Sequence, residues 1–477
     1  MASYTSLALY IDGRFHSGEG RQTELVFNPA TASVLADLPH ATDADLDEAV
    51  QAASRAFPAW SSMTALERSG ILRRAAGILR DRIEAIAVIM TLEQGKPIAE
   101  SRSELHHAVD VIDWYAEEGK RTYGRVVPSR VSGVRMVVTQ EPVGPVAAFT
   151  PWNFPALTPC RKIGGALASG CTLVLKAAEE VPGTAVEIAR AFSEAGLPSG
   201  VLNLVFGDPA RVSERLIASP LIRKVSFTGS TAIGRHLTRL CAEDLKRTTM
   251  ELGGHGPVVV FDDVDVEAVA EMAARTKYRN AGQVCISPTR FFVQESIQDR
   301  FTAHFARVAE SLKVGNGLDE AVQMGPLANP RRVEAMERLV QDVRDRGGRV
   351  TTGGQRIGNV GWFHAPTVVT DIHDDALVMT EEPFGPIAPI VPFRDLEEVI
   401  QRANALPYGL AAYAFSRSAQ RVTEIGAGLK AGMVGINTFA VSQPETPFGG
   451  VLHSGHGSEG GTEGLAAYLD TKLTASA

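Results

Sequence analysis

The chain has 477 residues, a formal net charge of −8 and a pI near 5.8. With 44% hydrophobic and 21% charged residues, it has the composition of a soluble globular protein of two or three domains. The acidic balance argues against nucleic acid or an anionic membrane as the main partner, because both favour a basic surface.

The cysteine content and the hydropathy of the chain indicate the cellular compartment in which it works. The four cysteines are far apart and form no C-x-x-C pair, which argues against a disulfide framework or a zinc site. The first residues lack the basic lead and apolar run of a signal peptide, and no run of 18 apolar residues occurs. We therefore expect a cytoplasmic protein with no metal site and no membrane partner.

Two helices are predicted early in the chain. The first spans about residues 43–57, with Thr42 as its N-cap. Thr64 and Glu67 form a capping-box pattern ahead of apolar residues at helical spacing. That spacing predicts one long amphipathic helix extending through Ile86.

From residue 143 the pattern changes to strands alternating with helices. Four predicted strands are rich in Val and Leu and are separated by helical segments: VGPVAAF (143–149), CTLVLKA (171–177), VLNLVFG (201–207) and IRKVSFTG (222–229). Such strands favour a parallel sheet covered on both faces, the doubly wound architecture of nucleotide-binding domains.

A second α/β block begins near residue 256. Helices predicted at 266–278 and 330–346 alternate there with strand-like runs such as RFFVQE and APIVPF. Two further segments, 132–142 and 466–477, read as short strands with little core of their own. We expect them to pair into an edge ribbon that would seek a partner subunit.

The segment FTGSTAIG has the features of an anion-binding turn. Gly229, Ser230 and Gly234 lie where a strand hands over to a helix, and such a turn presents backbone N–H groups to a pyrophosphate. The spacing differs from G-x-G-x-x-G, so a plain strand-to-helix turn capped by Ser230 is the alternative. At the end of another strand, Lys176 and Glu179 could contact a ribose, or form a solvated ion pair.

Three residues have the chemistry of a covalent catalyst. Asn153, in the rigid turn PWNFP, could aim an amide N–H at an oxyanion. Glu251, in TMELGGH, could have a raised pKa and act as a general base. Cys285, in YRNAGQVCIS, could be a nucleophile. The alternatives are an ordinary turn asparagine, a surface glutamate and an inert buried thiol.

Together these segments resemble a known family. The motifs occur in the order P-W-N-F-P, K-x-x-E, F-T-G-S-x-x-x-G, E-L-G-G, G-Q-x-C, E-E-P-F-G-P and P-F-G-G. The chain resembles the aldehyde dehydrogenase superfamily over essentially its whole length. The resemblance implies an α/β fold with a Rossmann-type cofactor domain, an α/β catalytic domain and a small β-ribbon oligomerisation element.

The resemblance also implies boundaries and an assembly. Residues 1–121 and 142–252 would form the NAD-binding domain, and residues 253–436 the catalytic domain. Residues 122–141 and 457–477 would form the oligomerisation ribbon, with 437–456 returning to the active site. The expected assembly is a homodimer or a homotetramer.

Site residues follow from the same motifs. The resemblance implies Cys285 as nucleophile, Glu251 as base and Asn153 as oxyanion donor in the oxidation of an aldehyde through a thiohemiacetal and a thioester. It implies NAD as cofactor, held by Lys176, Glu179, Gly229, Ser230, Gly234, Glu382, Phe384 and Trp152. Glu179 should repel an added 2′-phosphate, which favours NAD but leaves NADP open.

The substrate is indicated by two arginines. Arg161 and Arg279 would suit a carboxylate at the far end of the aldehyde, with Ser442 as a further donor and Phe448 as a substrate contact. The set resembles succinic semialdehyde dehydrogenases and, more narrowly, α-ketoglutaric semialdehyde dehydrogenases. Salt bridges in the tunnel wall are the alternative role for the arginines. A broad-specificity dehydrogenase, a CoA-acylating relative and a non-catalytic relative are the alternative functions.

Overall fold

The computed structural model describes residues 4–477, so the start of the predicted first domain segment, residues 1–3, lies outside the described residues. Two large sheets, each with its own apolar core, dominate the fold. Among residues 4–477, no helix is long and apolar enough to cross a membrane. The same residues contain no group of three or more His, Cys, Asp or Glu side chains arranged to hold a metal ion.

The first sheet has eight strands, and its five central strands are parallel neighbours. In spatial order they are Arg14–His16, Leu9–Ile11, Leu202–Val205, Leu173–Lys176, Val146–Phe149, Lys224–Thr228, Arg247–Glu251 and Gly455–His456. The four predicted strands are confirmed, and the central three of the sheet are buried along nearly their whole length, as their Val-rich and Leu-rich sequences require. The antiparallel strands at both edges were not predicted.

Helices accompany this sheet at Asp43–Ser62, Ala65–Asp81, Ile83–Gln94, Ile98–Glu118, Leu157–Ser169, Pro182–Glu194, Pro209–Ala218 and Thr231–Ala242. Both predicted N-caps, Thr42 and Thr64, form complete capping boxes. The prediction of one long helix through Ile86 was wrong. Arg82, at φ −109° and ψ 8°, leaves helical geometry, and its guanidinium pairs with Glu194 at 2.6 Å.

The second sheet has seven strands, which in spatial order are Arg349–Thr352, Thr367–Thr370, Ile387–Phe393, Pro288–Gln294, Gly256–Val260, Ala411–Phe415 and Met433–Ile436. Its helices are Val266–Tyr278, Gln298–Ser311, Pro330–Asp345, Leu377–Thr380, Leu396–Ala403 and Ala419–Gly428. Short 3₁₀ turns occur at Gly119–Arg121, Arg279–Gly282 and Glu295–Ile297. The predicted second α/β block is therefore confirmed.

Three strands form the ribbon, namely Arg125–Val127, Arg135–Pro142 and Leu469–Ser476. The last two pair antiparallel from Leu469 opposite Pro142 to Ser476 opposite Arg135, which confirms the predicted pairing of the two segments. Smaller pairs complete the fold: Thr23–Phe27 with Val34–Pro39, and Tyr408–Gly409 with Val451–Leu452. A short helix, Gly461–Ala466, precedes the last strand.

Candidate active site

A cavity of about 740 Å³ lies where strands of the first sheet end beside the segment that follows helix Val266–Tyr278. Ligands of parallel α/β sheets bind at the carboxyl ends of the strands, so this is the expected position. Of the residues predicted from the sequence, the cavity wall contains Trp152, Asn153, Arg161, Gly229, Ser230, Glu251, Arg279, Cys285, Glu382, Phe384, Ser442 and Phe448.

The remaining predicted residues lie away from this wall. Lys176 Nζ pairs with Glu179 Oε2 at 2.6 Å, and the other carboxylate oxygen accepts the Gly207 N–H at 3.2 Å. Both side chains are largely buried, so the solvated ion pair considered from the sequence is not what forms. A Cβ on Gly234 would lie 2.3 Å from the Leu252 side chain, so this glycine serves close packing of helix Thr231–Ala242.

The backbone before Cys285 makes an unusual turn. Asn280 and Ala281 have φ of 48° and 51°, and Gly282 follows with φ of 73°. A Cβ on Gly282 would lie 2.2 Å from the Gly385 carbonyl oxygen, so only glycine fits there. After this turn, Cys285 lies on the cavity wall with its side chain half-buried.

Burial raises the pKa of the Cys285 thiol to about 12. The negative charges of Glu382 and Glu251 act in the same direction, whereas Arg161 and the Ile286 N–H oppose them. The resting group is therefore a thiol at neutral pH. A nucleophilic role requires that a base remove this proton as the substrate arrives.

Asn153 is held from both ends. Its Nδ2 donates to the Gln283 carbonyl at 3.0 Å, and its own carbonyl accepts from Lys96 Nζ at 2.8 Å and from Asn280 Nδ2 at 2.9 Å. A primary amide carries two N–H donors, so one remains for the cavity. A fixed amide donor beside the segment that bears Cys285 suits the stabilisation of an oxyanion.

A buried ion pair that the sequence did not reveal supports this turn. Lys96 and Glu104 form a salt bridge that is almost entirely buried. Glu104 also accepts the backbone N–H groups of Ala156 and Leu157, at 2.8 Å and 3.1 Å, at the start of helix Leu157–Ser169. No local pattern marks either residue, because the pair acquires its role only when the chain segments meet.

Glu251 ends its strand in the cavity and is 2% exposed. Neither carboxyl oxygen has a hydrogen-bond partner among residues 4–477. Burial, reinforced by the negative charge of Glu459, raises its pKa well above the usual value, against the opposing charges of Lys162 and Arg161. The surface-glutamate alternative is thereby excluded, and the group has the properties of a general base.

Glu459 and Lys162 were also missed. Lys162 Nζ contacts Glu459 Oε1 at 2.6 Å and Ser226 Oγ at 3.0 Å, with all three side chains buried. Glu459 lies in the glycine-rich stretch GHGSEGG, which contains no motif that points to Glu251. The two charges act on Glu251 in opposite directions, Glu459 raising its pKa and Lys162 lowering it, and they reach it only through tertiary contact.

The two predicted arginines face the same cavity. Arg161 is 4% exposed, donates from Nη2 to Ser442 Oγ at 2.8 Å and stacks 4.0 Å above the Phe448 ring. Arg279 is exposed, with its guanidinium 5.7 Å from the centre of the Phe154 ring. Within residues 4–477 neither arginine forms a salt bridge. The positive charge of Arg279 nevertheless opposes the rise in pKa that burial gives the Glu100 carboxyl on the same wall, so a role in the wall stays the alternative for Arg279.

At the other end, the cavity floor is built from glycines. A Cβ on Gly229 would lie 2.4 Å from the Phe227 ring, and one on Gly253 would lie 2.5 Å from the Glu382 carboxylate. Glu382 Oε1 accepts the Gly254 N–H at 3.1 Å, and burial raises its pKa to about 7. Because these positions are glycines, a ligand can approach the backbone of the floor closely. The floor also lies beside the helix capped by Ser230, and this combination fits a pyrophosphate and a ribose.

An aromatic pair stands beside this floor. Trp152 and Phe384 meet edge to face with ring centres 5.5 Å apart, and Phe384 has φ of 43°. Arg332 donates to the Phe384 carbonyl at 3.1 Å, which holds this strained residue in place. The apolar edge of the floor is therefore fixed before any ligand binds.

Comparison with known proteins agrees with the motifs. The aldehyde dehydrogenase family profile matches residues 15–474. A putative 4-(hydroxymethyl)benzenesulfonate dehydrogenase of Comamonas testosteroni is 47% identical over 98% of each chain. The NADP(+) succinate-semialdehyde dehydrogenase of Escherichia coli K12 is 42% identical over 97% of this chain and 96% of its own. The crystal structure of succinate-semialdehyde dehydrogenase from Burkholderia pseudomallei superposes with a TM-score of 0.97, at 42% identity and coverage of 99% and 98%.

Proposed function

The chain belongs to the aldehyde dehydrogenase family, whose members are NAD(P)-dependent enzymes, and from that premise we propose that it oxidises short aldehydes bearing an anion at the far end. Dicarboxylic semialdehydes are the leading substrates: succinic semialdehyde to succinate, or α-ketoglutaric semialdehyde to 2-oxoglutarate. One observation carries the proposal, namely that Arg161 and Arg279 share a cavity with Cys285 and that the buried Arg161 hydrogen-bonds Ser442 rather than a carboxylate.

An unpaired buried guanidinium calls for an anion. Leaving a buried charge without its partner costs about 3–5 kcal/mol, so the site gains most when a ligand supplies the negative charge. Ser442 orients the Arg161 guanidinium and adds a hydroxyl, and the Phe448 ring fixes its plane. A planar carboxylate can accept two parallel hydrogen bonds from such a fork.

A sulfonate is the second candidate for that anion. It carries the same charge as a carboxylate, and the Comamonas testosteroni relative is named for a benzenesulfonate substrate. The cavity wall is aromatic, with Phe154, Phe439 and Phe448 among its residues, and Phe439 packs on Tyr413 with ring centres 4.8 Å apart. Aromatic walls suit an aryl aldehyde as well as an aliphatic one.

In the first chemical step, the Cys285 sulfur attacks the aldehyde carbon. The thiol loses its proton to solvent water, the C–S bond forms, and the carbonyl π electrons move to oxygen to give a tetrahedral thiohemiacetal alkoxide. The free N–H of Asn153 and the backbone N–H of Cys285 are the donors proposed for that oxygen. Losing one such donor costs about 3–4 kcal/mol of barrier.

The second step releases the acid. Once hydride has left the tetrahedral carbon, a thioester to Cys285 remains. Glu251 removes a proton from water, the oxygen attacks the thioester carbon, and the sulfur leaves. The raised pKa of Glu251 suits a base that works near neutrality. A CoA-acylating enzyme would not need this base, which argues against that alternative.

The dinucleotide would be held along the glycine floor, with Gly229 and Ser230 at the pyrophosphate and Glu382 and Phe384 at the nicotinamide ribose. Bound there in its oxidised form, the dinucleotide would supply the acceptor for the hydride of the substrate carbon. Lys176 and Glu179 would contact the adenosine ribose. Because the Glu179 carboxylate is fixed by two hydrogen bonds, we propose NAD as the preferred cofactor over its 2′-phosphorylated form.

Assembly and compartment are proposed from the ribbon and the cysteines. The ribbon exposes Val126 and Leu473 on its outer strands, which favours pairing with another copy in a homodimer or homotetramer. The predicted domain boundaries remain our proposal for the units involved. All four cysteines are free thiols, which supports the proposal of a reducing compartment such as the cytoplasm.

The arginine proposal predicts a selective loss of binding. We expect Arg161→Met and Arg279→Met to raise KM for succinic semialdehyde about 10- to 100-fold, because each removes a charge-assisted hydrogen bond. KM for butanal, an uncharged aldehyde of the same length, should change little. Steady-state NADH formation with both aldehydes measures this.

Arg275→Met is the matched control, since Arg275 lies on the neighbouring helix, pairs with Glu271 at 2.9 Å and is not on the cavity wall. It should leave both KM values unchanged. An equal rise in KM for butanal and succinic semialdehyde in the arginine variants would contradict the anion site and favour a broad-specificity enzyme.

A further inference from the structure

One histidine at the substrate end of the cavity has no part in the chemistry described above. His107 lies on helix Ile98–Glu118, and three residues of the same helix also reach the cavity wall: Glu100, Ser103 and Glu104. The four are spaced as one helical face. Arg161 and Arg279 lie on the wall of the same cavity.

The imidazole of His107 has an unfilled hydrogen-bonding position. Its Nε2 is buried and has no partner among residues 4–477. A buried polar atom without a partner costs about 1–3 kcal/mol, whereas an apolar side chain of similar size would not have this cost. Arg161 Nε is also buried without a partner, so two nitrogen atoms near the same cavity have an unfilled hydrogen-bonding position.

Burial, together with two neighbouring positive charges, favours the neutral form of His107. Burial lowers its pKa to about 4, the positive charges of Arg161 and Arg279 act in the same direction, and Glu445 opposes them. The positive charges of both arginines therefore act on the same imidazole. A neutral imidazole still has one N–H to donate, and it adds no positive charge to repel the two guanidinium groups.

We propose that His107 is a specificity-determining residue that donates a hydrogen bond to the anionic group at the far end of the aldehyde, alongside Arg161 and Arg279. This inference rests on the proposed function. The arginines supply the attraction, and the imidazole adds a donor from helix Ile98–Glu118, whereas Arg161 belongs to helix Leu157–Ser169. The substrate anion accepts the hydrogen bond that the protein leaves unmade.

Three variants test the role. In His107→Leu the donor is lost, and we expect KM for succinic semialdehyde to rise about 10-fold at nearly unchanged kcat. His107→Gln keeps an N–H at the end of a side chain of similar length and should restore KM to within about 3-fold of the original. KM for butanal should stay the same in both variants.

His106→Leu is the matched control, because His106 is the exposed neighbour on the same helix and does not line the cavity. It should change neither KM. An unchanged KM for succinic semialdehyde in His107→Leu, an equal rise for butanal, or a failure of Gln to restore KM would each overturn the role of His107.

The same assays separate this inference from the proposed function. If the unmodified enzyme shows no preference for succinic semialdehyde over butanal, the anion site fails and the role of His107 fails with it. If that preference exists and survives in His107→Leu, only the role of His107 is overturned.

Discussion

Replacing Cys285 by alanine is expected to abolish NADH formation with every aldehyde, with a fall in kcat of about 10⁴-fold or more. Without the sulfur no tetrahedral thiohemiacetal forms, so there is no adduct carbon from which hydride can leave. The fixed Asn153 amide and the anion site would still bind aldehyde, so substrate affinity should persist while turnover is lost. Steady-state NADH formation, with aldehyde binding followed separately by calorimetry, measures both quantities.

Cys171→Ala is the control for Cys285→Ala. Cys171 is fully buried, lies off the cavity wall and makes a sulfur contact to the Tyr468 carbonyl at 3.5 Å. Its loss should leave kcat unchanged and lower only thermal stability, by the cost of a small cavity. Turnover of Cys285→Ala within tenfold of the unmodified enzyme would contradict covalent catalysis at this residue.

The second large effect is expected for Glu251→Gln. The amide cannot take a proton from water, so thioester hydrolysis should slow and kcat should fall about 10²- to 10⁴-fold. Acyl enzyme should then accumulate, visible by mass spectrometry as an added acyl group on the peptide that contains Cys285. A variant that turns over normally, or that never accumulates acyl enzyme, would contradict the role of Glu251.

The pH dependence follows from the raised pKa of Glu251. Only the carboxylate form is a base, so kcat of the unmodified enzyme should fall as pH falls through that raised pKa. Because burial and Glu459 place this pKa well above the usual value, the fall should begin closer to neutrality than for an exposed glutamate. In Glu251→Gln this limb of the profile should be absent.

Much of the fold could be predicted because it has local causes. Runs such as CTLVLKA read as buried parallel strands since apolar residues on both faces must be covered. The capping residues Thr42 and Thr64 mark helix starts through hydrogen bonds within four residues. The aldehyde dehydrogenase fold implied by the motifs is confirmed by superposition at a TM-score of 0.97. The domain boundaries and the residue roles stay predictions.

What could not be predicted depends on distant contacts. Lys162 and Glu459 are 297 positions apart, and nothing local to either indicates that they form a buried pair beside Glu251. Burial and Glu459 raise the pKa of Glu251, whereas Lys162 opposes the rise. His107 has no motif around it, and the helix that carries it was not singled out. The break at Arg82 interrupts an apolar pattern that continues through Ile86. Its ion-pair partner Glu194 lies 112 residues further on, so no local feature of the sequence indicates that contact.

We propose that this aldehyde dehydrogenase selects substrates with an anion at the far end. The most direct measurement is kcat/KM of the unmodified enzyme for succinic semialdehyde and for butanal, with NAD as cofactor. Two charge-assisted contacts predict a ratio of about 100 or more in favour of succinic semialdehyde. A ratio near one, or a preference for butanal, would contradict the claim.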